Sequence, residues 1–104
     1  MTAFLIVKAE VLSASDRQAF DTWYATEHLP DAKSTFGALR AWRGWSDVEP
    51  LMHYAFYEFP DLGAVQAATS SAGIAELIAE FDRTWTGRVT RFRDRVEQIQ
   101  VLAD

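Results

Sequence analysis

The sequence predicts a single α+β domain in which a four-stranded antiparallel sheet carries helices on one face. Four stretches of the 104 residues are extended and apolar or alternating, and two stretches between them carry apolar residues at helical spacing. Their order is strand, helix, strand, strand, helix, strand, the split βαβ arrangement that lays both helices across one side of a sheet. A chain of 104 residues makes one domain, residues 1–104, with a core just adequate for its surface.

The elements follow in order. "AFLIVKAEVL", residues 3–12, is apolar on both faces at first and then alternates, as a strand covered on both sides does. Ser15 and Gln18 fit an S-x-x-Q capping box, and Ala19, Phe20, Trp23 and Tyr24 continue from it at helical spacing. Pro30 has no amide proton and crowds the preceding turn, so the regular helix is expected to end or kink near His28. Pro30 also suits the first turn of a short second segment, "PDAKSTF", closed by Gly37. Residues 38–47 alternate as a strand, with Leu39, Ala41, Arg43 and Trp45 on one face and Arg40, Trp42, Gly44 and Ser46 on the other. "SDVEP" turns the chain into a hairpin partner over residues 51–59. There His53, Ala55, Tyr57 and Phe59 oppose Met52, Tyr54, Phe56 and Glu58. Asp61 is placed to cap a helix over residues 62–69. After "SSAG", Ile74, Leu77, Ile78, Phe81 and Trp85 form a second helical stripe, ended by Gly87. Residues 90–102 read as the last strand.

Both faces of the middle strands carry aromatics, so neither is an ordinary solvent face. A bare aromatic sheet exposes a large apolar patch, and face-to-face homodimerisation through the sheets is the simplest way to cover it. The composition agrees, with 49% hydrophobic and 13% aromatic residues and four tryptophans. There is no cysteine, which removes disulfides, thiolate metal sites and cysteine catalysis. A net charge of −5 argues against a nucleic-acid partner. No stretch is long enough for a membrane span or a signal h-region, so no membrane partner is expected and the expected location is cytoplasmic. Charge is uneven: five of the ten basic residues, Arg83, Arg88, Arg91, Arg93 and Arg95, fall within thirteen positions. They read either as a solvated strand edge or as a patch that grips an acidic ligand or a subunit.

"FDTWYATEHLPDA" carries Tyr24, Glu27, His28, Leu29 and Pro30 at the end of the first helix. With the βαββαβ order, this resembles the dimeric α+β barrel superfamily, whose fold is ferredoxin-like, and within it the EthD-type small proteins. The resemblance in element order covers almost the whole chain; the motif covers about five residues. It implies a fold and a dimer more strongly than a reaction, because the superfamily includes isomerases, monooxygenases, cyclases, haem-degrading enzymes and proteins of no known activity.

His28 is the first candidate catalytic residue, since imidazole exchanges protons near neutral pH. The resemblance adds weight to it, and Phe20, Tyr24 and His28 share one helical stripe. The plainer alternative is a helix C-cap. Tyr24 is a candidate donor to a substrate oxygen, or a core tyrosine. Glu27 is a candidate to orient His28 or act as base, or it pairs with an arginine. Trp23, Arg40, Trp42, Arg43, His53 and Tyr57 are second-tier ligand-binding candidates, because a surface mixing Arg, His, Tyr and Trp suits a flat, partly polar or anionic molecule. Packing roles are the alternative for His53 and for the tryptophans. No phosphate loop or nucleophile elbow is present, and two histidines 25 positions apart make a weak metal set. The expectation is cofactor-independent acid/base chemistry on an aromatic or polyketide-like small molecule, with no metal. The competing expectation is a non-catalytic binding or dimeric assembly module. An apolar pocket of roughly 300 Å³ beside His28 would favour the enzyme, and its absence the module.

Overall fold

A computed structural model describes residues 1–103. Strand β1 is Ala3–Val11, followed by a single 3₁₀ turn at Ala14–Asp16 and helix α1 at Arg17–Trp23. A π-helical turn, Tyr24–His28, joins α1 to α2, Leu29–Phe36. Strands β2 (Arg40–Trp45) and β3 (Met52–Phe59) form the hairpin, then come α3 (Leu62–Thr69), α4 (Ala72–Trp85) and β4 (Val89–Glu97). The sheet is antiparallel throughout, in the order β2-β3-β1-β4. This is the expected ferredoxin-like α+β fold.

Strand parity divides the sheet into two faces. Leu5, Val7 and Ala9 of β1 pair across to Tyr57, Ala55 and His53 of β3, and all six are buried under the helices. Phe20, Tyr24, Phe81 and Trp85 supply the helical half of this core. The opposite face carries Phe4, Trp42, Tyr54, Phe56 and Phe92 with no layer over it. Trp42 stacks on Phe56 with ring centroids 5.4 Å apart, Phe4 meets Trp42 edge-on, and Phe92 is 53% exposed. Trp23, Trp45 and Trp85 lie on the helix side and belong to the core or pack against it.

Several local expectations hold. The Asp61 carboxylate accepts the Ala64 amide at 2.8 Å and caps α3. Gly37, at φ 66°, closes α2 in the left-handed conformation that glycine adopts without strain. Three expectations need correcting. The Ser15–Gln18 capping box is not formed: Ser15 bonds the Ser13 hydroxyl, and the α1 N-cap is Asp16, whose carboxylate is held by Arg88 at 2.9 Å. The last strand stops at Glu97, because its partner Ala3 is where β1 begins; residues 98–103 have no regular structure.

The third correction concerns Pro30. The chain does not leave the helix there. It widens by one residue just before it: the Leu29 amide bonds the Tyr24 carbonyl, an i→i+5 step. Pro30 then sits, as expected, in the first turn of α2, where a missing amide proton costs nothing.

Candidate functional site

The widened turn sets the site. In an α-helix a residue five positions on is turned about 140° away. The π turn instead brings His28 against Trp23, stacked at 4.7 Å with 17° between the planes. Tyr24 and Phe81 meet the imidazole edge-on at 4.8 and 5.6 Å. His28 is 8% exposed, and no hydrogen bond engages either ring nitrogen among the described residues. It does not cap a helix end, because the helix runs on through it. Burial, and then the guanidinium groups of Arg91 and Arg93, press its pKa down to about 4, so the ring is neutral at pH 7.

Around it is a narrow crevice between the helices and the sheet. His28, Tyr57, Phe36, Ile78, Arg91 and Arg93 border it, and its volume is about 20 Å³, room for roughly one water. Tyr57 and Tyr24 place their hydroxyls 3.5 Å apart, a long contact. Burial is the first cause that raises both phenols, Tyr24 to about 12, so each stays protonated and able to donate.

A second polar group lies across Tyr24, at the β2 side. Arg43 donates to Asp21 at 2.9 Å and contacts His53 Nε2 at 3.2 Å, while Trp45 donates its indole proton to Asp21 at 2.8 Å. A guanidinium only donates, so His53 Nε2 is the acceptor and Nδ1 carries the proton. That Nδ1 is buried and unpartnered. Burial, then the charge of Arg43, lower the His53 pKa to about 4. The Trp45 and Arg43 hydrogen bonds hold the Asp21 carboxyl below the usual range.

The expected residues therefore separate. His28, Tyr24, Trp23 and Tyr57 come together at the crevice, and His53 and Arg43 lie behind Tyr24. Arg40 and Trp42 do not join them. Strand parity puts both on the outer sheet face, where Arg40 lies over Trp42 at 5.0 Å and pairs with Glu58. Glu27 is exposed, because neighbouring helical residues point about 100° apart. It takes no part in the His28 group, nor does it pair with the arginines, which use Asp16 (Arg88) and Asp82 (Arg91). The sequence reading missed Asp21, Phe36 and Phe81 as neighbours of these groups, and it placed Arg91 and Arg93 in a patch, not at the site. The alternation of arginines along β4 was the available signal for the last two.

The same βαββαβ sheet occurs in other solved proteins. A variant of SnoaB, a cofactor-independent oxygenase from Streptomyces nogalater, superposes with a TM-score of 0.72, over 99% of this chain and 98% of that one, at 14% identity. HapK from Hahella chejuensis gives 0.70, over 98% and 97%, at 15% identity. An EthD family protein from Bacillus halodurans gives 0.67, over 90% and 97%, at 18% identity. The chain shares the ferredoxin-like α+β fold of these proteins. No family profile matches the sequence, and no curated protein does. The fold is thus shared at identities where residue roles do not transfer. Among the described residues no helix is long and apolar enough to cross a membrane.

Proposed function

We propose that the chain works as a homodimer closed through its outer sheet faces, and that His28 moves a proton in a cofactor-independent reaction on an aromatic or polyketide-like small molecule. The observation that supports this is a neutral, sheltered imidazole with both nitrogens free, bordering the same crevice as a tyrosine hydroxyl and two guanidinium groups. A neutral imidazole accepts a proton; the Tyr57 and Tyr24 hydroxyls steady the oxygen on which charge then develops. An enolate is the species common to the isomerisation, cyclisation, decarboxylation or oxygenation such a site could run, formed by loss of an α-proton to His28 or, in decarboxylation, by loss of carbon dioxide. SnoaB, with the same fold, is a cofactor-independent oxygenase, which fits this class of chemistry.

The crevice of about 20 Å³ is far below the roughly 300 Å³ of a small-molecule site, so ligand entry requires Phe36 on α2 and Ile78 on α4 to part. That small volume favours a second reading, a non-catalytic assembly module. Deuterium uptake at the α-carbon of an enolisable aryl ketone such as 1-tetralone, followed by NMR, separates the two. The wild type should exceed buffer, and His28→Ala should lose about 10²–10⁴-fold of the enhancement. Uptake at the buffer rate for both leaves the module.

A further inference from the structure

The geometry points to an organic-anion subsite on the helix-facing side of β4, where Arg93 and Arg95 hold a carboxylate or phenolate of the ligand whose reacting carbon reaches His28. It rests on the proposed function for the position of the reacting centre and goes beyond it in naming the charge of the ligand.

Arg91, Arg93 and Arg95 stand at alternate positions of β4, paired across to Ala9, Val7 and Leu5, so all three fall on the face that lies under the helices. Placing three guanidinium groups in a row is unusual in a chain with ten basic and fifteen acidic residues. Arg91 is accounted for: Asp82 lies 3.7 Å away, and its guanidinium sits 4.1 Å over the Phe81 ring. Arg93 and Arg95 make no ion pair among the described residues.

Those two arginines, both exposed, line with Thr69, Asp94 and Leu5 an open cleft of about 480 Å³ between the end of α3 and β4; strand parity turns the Asp94 side chain to the other sheet face. The cleft has the volume of a small-molecule site, which the crevice at His28 lacks. Arg93 borders both spaces, so the cleft and the crevice meet at one guanidinium. A flat aromatic acid in this cleft would present its carboxylate to planar donors that bind such groups in bidentate fashion. Its far end would extend toward Tyr57 and His28. An anion seated there would also offset the positive field that Arg91 and Arg93 place on His28.

The test is binding, measured by titration calorimetry on the full chain with 2-naphthoate and its neutral methyl ester. The acid should bind at least tenfold tighter. Arg93→Gln and Arg95→Gln should each remove most of that preference, Arg93→Lys should restore part of it, and added salt should weaken it. Binding of 2-naphthoate by a wild-type chain that exchanges 1-tetralone only at the buffer rate would count against the His28 chemistry and leave the subsite standing. Equal affinity for acid and ester, no binding of either, or a preference that survives both glutamine substitutions overturns the proposal.

Discussion

His28 and His53 are both buried, both neutral, and both hold pKa values near 4 against an ordinary 6.5. The unfolded chain takes up these protons at higher pH than the folded one does. Stability should therefore be fully present above pH 6.5 and fall as the pH drops toward 4, by up to roughly 3 kcal/mol for each histidine. Urea midpoints at pH 7 and pH 4.5 should show a smaller loss in His28→Gln and His53→Gln than in the wild type; parallel losses would contradict the assignment. Arg43 is the other informative side chain. Arg43→Ala leaves Asp21 with the Trp45 indole alone and His53 Nε2 without a donor. Asp21 is partly exposed but His53 is fully buried, so a cost of about 1–3 kcal/mol in unfolding free energy, read from the denaturation midpoint, is expected. At this scale the sequence was legible where a residue's own chemistry or parity decides its place. His28 stood out by its motif, and the split between Arg43, His53, Tyr57 and Arg40, Trp42 was implicit in the alternation. Asp21 was not legible, since a helical aspartate gives no sign of which strand end will sit above it.

The first helix shows how an element is shaped by its pattern. Phe20, Tyr24, His28 and Ala32 are buried and Phe36 half-buried, each four residues from the last. In a regular α-helix a repeat of four drifts by 40° per step, or about 160° from Phe20 to Phe36. One extra residue absorbed by the π turn takes back about 100° of that drift and keeps all five toward the sheet. Excision of the exposed Ala25 should convert the turn to α-helix while leaving α2 in place, with a change of about 1 kcal/mol or less by urea unfolding. Excision of Ser34 inside α2 has no bulge to absorb it. It rotates Phe36 by about 100° and should cost on the scale of a core truncation, ~2–5 kcal/mol. Sequence reading took Pro30 as the decisive signal and expected an end or a kink. The strict repeat of four was the competing signal, and its conflict with 3.6 residues per turn was resolved by widening the helix.

For the whole molecule, the strand and helix order was legible because short apolar or alternating stretches are set off by turn residues and α4 carries a clean helical stripe. What the period cannot say is how the uncovered aromatic face is satisfied. Sedimentation at micromolar concentration should give a species of twice the 11.8 kDa chain mass. Phe92→Asp, on the exposed part of that face, should weaken association at least tenfold while leaving the far-ultraviolet circular dichroism unchanged. A wild-type monomer at that concentration would remove the dimer from the proposed function.

An outermost strand commonly frays before the strands inside it. Here β2 is at the sheet edge, yet Arg43 and Trp45 both reach Asp21 on α1, so strand and helix are clasped at one carboxylate. Their backbone amides should then open to solvent together, as one cooperative unit in native-state hydrogen exchange, and Asp21→Asn should let the β2 amides exchange ahead of those in α1.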